Sequence, residues 1–249
     1  IIALITLFAN QLGKQFIVST LAIFAVLANL FVLKQINLFG LQVTSSDAFI
    51  VGISLGLNLM QEKYGQKIPA QGILRAVLDG LGPIWPGRIM ANGINLGDVW
   101  HHSKLNPSEP TKALVPLHKL SQWMTYSLIE AILEAGFEVT EVEKLTGLAE
   151  YRNGGLMIDS GLLCLKNPED ALAEWSPDSD LIIEWRALTV FLLDQMGREI
   201  CKRLHKTPQE FPLAKVLEGG TWWAGRALAQ DKREGATPPL KIKSDGTVF

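Results

Sequence analysis

Residues Leu181–Leu204 read LIIEWRALTVFLLDQMGREICKRL. Leu188, Leu192, Met196, Ile200 and Leu204 recur every four residues, and this spacing predicts one long helix with an apolar stripe. Within it, Glu184 and Arg186 lie two apart and so face different sides of the helix. Towards the N-terminus, Leu117, Leu120, Met124, Leu128 and Ile132 predict a second amphipathic helix, closed near Gly136 by a C′ glycine. Towards the C-terminus, Leu213–Leu217 and Trp222–Asp231 read as two shorter helices around Glu218-Gly219-Gly220. ILRAVLDGLGPIWPGR (Ile73–Arg88) begins helical and breaks at Gly80, Gly82, Pro83 and Pro86. MANGINLGDVW (Met90–Trp100) has turn chemistry at Asn92-Gly93 and Gly97-Asp98. PPLKIKSDGTVF (Pro238–Phe249) has a short alternating segment and an Asp-Gly turn. The expected fold is mostly α, a helical globular domain with a few short strands.

The first quarter reads differently. Residues 1–67 contain four lysines, one aspartate and one glutamate, net +2, whereas the whole chain of 249 residues is −2; the rest therefore carries −4. Phe16–Leu33, FIVSTLAIFAVLANLFVL, is eighteen residues without a charge between Lys14 and Lys34. As a helix it spans roughly 27 Å, close to a bilayer core. Ala48–Met60 is a shorter apolar run. One or two membrane-type helices are expected here, tethering a cytoplasmic domain. Gln66–Gly72, QKIPAQG, is a short junction with helix-breaking Pro and Gly. The expected organisation is therefore an apolar segment over 1–67, a junction at 68–72 and a helical domain over 73–249.

Composition excludes some functions. Neither part has the basic excess of a nucleic-acid binder. Two cysteines, Cys164 and Cys201, make no disulfide framework. His101-His102 with Asp98 lacks HxxxH or CxxC spacing, so no metal is expected. The glycine-rich GLGPIWPGR has no P-loop lysine, and no cofactor is expected.

Two resemblances add to this reading. Asn29–Lys67 resembles the start of the queuosine-precursor transporter family, through Asn29, Lys34, Gln35, Thr44, Asn58, Gln61, Glu62, Tyr64 and Gly65. That family implies a purine-like substrate held by polar side chains inside a membrane. Beyond it come DGLGPIWPGR (Asp79–Arg88), LGDVW (Leu96–Trp100), HKLSQWMTYSLIE (His118–Glu130), LTGLAEYRNGGLMIDSG (Leu145–Gly161), EWRALTVFLLD (Glu184–Asp194), LEGGTWWAGR (Leu217–Arg226) and SDGTVF (Ser244–Phe249). In this order they resemble the C-terminal half of the uracil catabolism protein 4 family. The resemblance implies a pyrimidine breakdown route that processes a ribosyl-urea-type intermediate. Glu150-Tyr151-Arg152 and Glu184-x-Arg186-Ala187 are also similar to patterns in the helical queuosine-salvage nucleoside hydrolases.

Cleaving a ribosyl C–N bond passes through an oxocarbenium-like state, which a carboxylate stabilises or supplies with an activated water. Glu150, Glu184, Glu218 and Asp159 are the candidate catalytic carboxylates. Tyr151, Arg152, Asn153, Arg186, Trp222, Arg226, His118 and Gln122 are the candidate substrate contacts. The arginines suit bidentate binding of a phosphate or urea oxygen, and the tryptophans, Trp123 included, suit stacking on a planar group. Each has a structural alternative. Glu184 or Arg186 would serve as a buried salt-bridged core organiser, Glu218 as an acceptor beside its glycine turn, and His118 as a hydrogen-bonded structural histidine. For Asp79 and Asp98, Asx-turn duty is the stronger reading. The expected partner is a small nucleobase-derived or ribosylated molecule, with a membrane transporter fragment for a queuosine precursor, or a non-catalytic binding module of the uracil degradation pathway, as the competing roles.

Overall fold

The computed structural model describes residues 35–38, 41–44, 67–105, 108–109 and 113–243. Phe16–Leu33 and Ala48–Met60 lie outside the described residues. Among those described, no helix is long and apolar enough to cross a membrane. The elements are mostly helical. In chain order they begin with strands β1 (Gln35–Leu38), β2 (Leu41–Thr44) and β3 (Lys67–Pro69), then helix α1 (Ala70–Leu81). Short strands β4 (Met90–Ala91), β5 (Ile94–Asn95), β6 (Val99–His101) and β7 (Leu114–Pro116) follow, then helix α2 (Lys119–Glu134) and strand β8 (Glu138–Thr140). The rest comprises α3 (Tyr151–Asp159), β9 (Glu174–Trp175), α4 (Asp180–Arg203), α5 (Leu213–Val216), a π-helical turn (Leu217–Trp222), α6 (Trp223–Lys232) and β10 (Lys241–Ile242).

The chain divides into two compact units, residues 1–84 with 124–142 and residues 85–123 with 143–249. In the first, β1 and β2 pair antiparallel, and β3 pairs in parallel with β8. Residues 67–69 of the sequence-read junction are thus a strand, α1 starts at the next residue, and Ile68 and Ala70 are buried. Val77 and Leu81 of α1 pack with Met124 and Leu128, two members of the stripe predicted for α2. That helix ends as expected at Gly136, whose φ is +85°. The amide of Phe137 donates to the Ile132 carbonyl and that of Gly136 to the Leu133 carbonyl, which is a Schellman closure. Phe137 is buried beside it.

The second unit is organised on α4. The helix falls where the 3.6-residue pattern puts it, but its buried face differs from the predicted stripe. Leu188 and Leu204 are 42% and 51% exposed, while Trp185, Arg186, Thr189, Leu193, Gly197 and Cys201 are buried. Polar residues take the inner face because each finds a partner there. Thr189 Oγ1 donates to the Trp185 carbonyl at 2.7 Å, and Arg186 is salt-bridged. Small residues allow close approach: a Cβ on Gly154 would lie 2.9 Å from the Trp185 ring, and one on Gly147 would lie 2.7 Å from Leu193 Cβ. Ile182, Trp185 and Leu240 form one core, bordered by the parallel pair β9–β10. Helices α3 and α6 also pack closely, since a Cβ on Gly225 would sit 2.0 Å from the Arg152 carbonyl oxygen.

The glycines Gly219 and Gly220 do not split two helices, as their helix-breaking character predicts. The chain stays helical from Leu213 to Lys232 by opening into a π turn over Leu217–Trp222. Thr221 fastens that turn. Its hydroxyl lies 3.4 Å from the Val216 and Leu217 carbonyls and donates at 2.9 Å to Asn153 Oδ1.

Candidate functional site

The segment from Trp85 to His102 builds one side of the site. Asn92 and Gly93 both have positive φ, +51° and +78°, which suits the two-residue turn joining β4 to β5. Asn95 then ties the segment to itself. Its Nδ2 donates to the Trp85 carbonyl at 2.8 Å, and its Oδ1 accepts from the Gly97 amide at 2.7 Å. Gly87 makes room for it, since a Cβ there would overlap the Asn95 amide.

Asp98 is the hub. Arg186 donates from Nη1 to Asp98 Oδ1 and from Nη2 to Oδ2, both at 2.7 Å. Trp100 Nε1 donates to Oδ1 at 2.6 Å, and the Lys119 amide donates to Oδ2 at 3.0 Å, so Asp98 also caps the N-terminus of α2. Its own carbonyl accepts from the Leu117 and His118 amides. Burial pushes the Asp98 carboxyl up, but the Arg186 hydrogen bonds and charge, with the Lys119 and Trp100 donors, outweigh it and hold the pKa below its ordinary value. Turn duty was the expected role for this residue; its buried arginine partner and its capping of α2 were not visible in sequence.

Around this hub, Trp85, Pro86, Arg88, Asp98, His118 and Leu120 line a small recess. The Arg88 guanidinium lies 4.8 Å from the centroid of the Trp100 ring and that of Arg186 5.9 Å from it. His118 holds a left-handed backbone, φ +47°, at the start of α2. Burial lowers its pKa, partly opposed by the Asp98 charge, so its ring is held towards the neutral form. The Trp85 Nε1–H is buried without a hydrogen-bond partner, and so is Gln122 Oε1.

Glu150 is the N-cap of α3. Its Oε2 accepts from the Arg152 amide at 2.7 Å and the Asn153 amide at 3.3 Å. Burial raises its pKa, against the lowering effect of those two amides and of the nearby Lys119 and Arg152 charges. Asn153 links this cap to the π turn through Thr221, while the Arg152 guanidinium stacks 4.7 Å from the Tyr151 ring and donates to the Ala236 carbonyl.

The remaining sequence candidates fall elsewhere. Glu184 Oε1 meets His102 Nε2 at 3.1 Å and Lys104 Nζ at 3.3 Å. Since His102 Nδ1 accepts from the Lys104 amide at 3.2 Å, the Nε2 proton points at Glu184. Asp180 beside it accepts from the Ser103 amide and hydroxyl. Glu184 and Arg186 thus hold opposite ends of β6, through His102 and Asp98. Asp159 is buried in a bidentate pair with Arg233, both bonds 2.6 Å. Glu218 is exposed on the π turn. Arg226, also exposed, lies 5.7 Å from the ring centroids of Trp222 and Trp223, which meet edge to face. Trp123 is exposed on α2. The structure therefore gathers His118 and Arg186 at Asp98. It sets Glu150 within reach of the Lys119 charge and places Glu184, Asp159 and Glu218 in separate surroundings. Among the described residues, no three His, Cys, Asp or Glu side chains cluster to hold a metal.

Residues 32–249 match the model of a family described as Protein of unknown function (DUF1688). The chain belongs to this family. It is similar to Protein urg3 of Schizosaccharomyces pombe, 44% identical over 172 residues that cover 67% of this chain and 41% of the relative. It is also similar to Uracil catabolism protein 4 of Lachancea kluyveri, 36% identical over 200 residues, covering 71% and 45%. The chain thus spans less than half the length of these curated relatives. The DUF1688 match begins inside the stretch that resembles a queuosine-precursor transporter and runs through the junction at 68–72. Nothing in the comparisons supports the transporter resemblance.

Proposed function

We propose that this DUF1688 chain serves uracil catabolism by hydrolysing the N-ribosyl bond of a ribosyl-urea or nucleotide intermediate. The name of the Lachancea kluyveri relative supports the pathway. The observation that carries the chemistry is Glu150. One oxygen is fixed by two amides at the start of α3, while the carboxyl is largely buried and its pKa is raised. A carboxyl held in that way is oriented for proton transfer at the second oxygen, Oε1. Water adds to the anomeric carbon, the C–N bond breaks, and its electron pair leaves with the nitrogen. Glu150 takes the proton from the water and passes it to that nitrogen. The Lys119 charge stabilises the ionised form of Glu150 once its proton is gone.

The test is release of urea from ribosylurea by the purified chain. Glu150→Gln keeps an acceptor oxygen for the helix cap and loses the titrating proton, so turnover should fall by about a hundredfold or more. Unchanged turnover in this variant sinks the assignment to Glu150. A wild-type chain that binds ribosylurea without consuming it sinks the hydrolase reading and favours a binding module.

A further inference from the structure

We propose that the outer face of α4 is the interface through which two copies of this chain pair, antiparallel and about a two-fold axis at Phe191. Three observations carry it. First, this face keeps an apolar centre in water. Leu188 is 42% exposed and Phe191 57% exposed, while Trp185, Thr189, Leu193 and Gly197 take the inner face. Neighbouring large apolar side chains left exposed on one helix face mark an interaction surface. Second, the face has the spacing of a helix–helix seam. Glu184, Leu188, Phe191, Gln195, Arg198 and Lys202 alternate by four and three residues, the heptad interval at which one helix meets another along its length. The last five of these are exposed, and the Glu184 side chain is 37% exposed. Third, the charges along this face complement themselves. Glu184 stands seven residues before Phe191 and Arg198 seven after it, while Asp180 and Lys202 stand eleven before and eleven after. An antiparallel pair centred on Phe191 therefore sets each Glu184 against the other copy's Arg198, roughly 10 Å from the axis. It also brings each Asp180 towards the other copy's Lys202. A parallel pair would oppose like charges. A second copy meets this pattern by symmetry alone, which is the isologous contact of a two-fold dimer. Local partners do not use up these charges. Both contacts of Glu184, to His102 and Lys104, go to Oε1, and among the described residues Arg198 has no partner in its own chain.

Analytical ultracentrifugation of the full chain over a concentration series tests this. The expected result is a monomer–dimer equilibrium. Phe191→Ser and Arg198→Glu change exposed positions and should keep the melting profile. The first should raise the dimer dissociation constant about tenfold or more, and the second should raise it less. Glu184→Lys should weaken the dimer as well. The double variant of Glu184→Lys and Arg198→Glu should recover most of the wild-type affinity, because each reversed charge again meets its opposite across the axis. A wild-type chain that stays monomeric at its highest soluble concentration overturns the proposal and leaves this face to a different protein. A dimer that Phe191→Ser leaves unchanged overturns it too, as does a double variant no better than its singles. If Glu184→Lys does not fold, cross-linking decides in its place. Cys201 is buried, so Cys164→Ser provides the background. There, Phe191→Cys should join two copies through a short bismaleimide, whereas Lys202→Cys, roughly 30 Å from its counterpart across the axis, should not. Cross-linking through Lys202→Cys, or none through Phe191→Cys, overturns the antiparallel pair.

Discussion

Arg186 and Asp98, 88 residues apart in sequence, face each other through two parallel hydrogen bonds of 2.7 Å. The Arg186 side chain is fully buried and that of Asp98 nearly so. The pair joins helix α4 to the turn that starts β6 and caps α2, so one ionic contact sets the position of three segments.

Removing one partner leaves a buried charge behind. Arg186→Met should destabilise the chain by about 3–5 kcal/mol, because the Asp98 carboxylate loses both its counter-charge and two donors. Adding Asp98→Asn to that variant should recover a large part of the loss, since the neutral amide oxygen still accepts from the Lys119 amide. Urea unfolding of the two single variants and the double variant measures this. Equal stability of the double and Arg186→Met chains would contradict it.

His118 gives a pH signature. Its folded pKa lies below the ordinary value of 6.5, mainly through burial. The unfolded chain therefore takes up the proton first, and stability falls as pH drops below about 6.5, down to the folded pKa. His118→Asn accommodates the left-handed backbone and does not titrate. Melting curves between pH 5 and 8 should show a shallower acid-side loss for this variant than for wild type.

Glu150 has the opposite sign. Its folded pKa is raised above 4.5 by burial, so the folded state keeps its proton longer than the unfolded chain. Wild type should lose stability relative to Glu150→Gln as pH rises from about 4.5 through the folded pKa, then hold a constant difference. Unfolding titrations of both chains across this range provide the comparison, independent of any turnover assay. A difference that does not change with pH would remove the argument from Glu150 as a poised acid.

Gly225 is set by packing rather than by backbone freedom. A methyl there meets the Arg152 carbonyl oxygen, which belongs to the backbone of α3 and cannot rotate away. Gly225→Ala should cost about 1–3 kcal/mol or more and disturb Glu150, whose cap includes the Arg152 amide. Thermal melting reads the first effect and the Glu150 titration the second.

Much of the helical frame was legible in the sequence. The 3.6-residue period placed α2 and α4, and Gly136 marked the end of α2 because a left-handed C′ residue favours glycine. The face of α4 was misjudged for a physical reason. A periodicity of leucines counts side chains by type, whereas Arg186 and Thr189 are buried because of their partners. The π turn was equally hidden. Gly219 and Gly220 signal a break when read locally, yet the Thr221 hydroxyl donates to Asn153 Oδ1 and ties the turn to α3 as the helix runs on.

By itself the sequence determined the helix positions, the turn chemistry and the ordered motifs that tie the chain to its relatives. These follow from local rules of spacing and backbone preference, which act within a few residues. Only the tertiary structure decided which polar side chains work together. Asp98, expected to serve a turn, became the partner of Arg186. Glu184 went to His102 and Asp159 to Arg233. Glu150 combined burial, an oxygen fixed by two amides and a raised pKa. Burial and charge pairing join residues distant along the chain, and spacing in sequence carries no record of them.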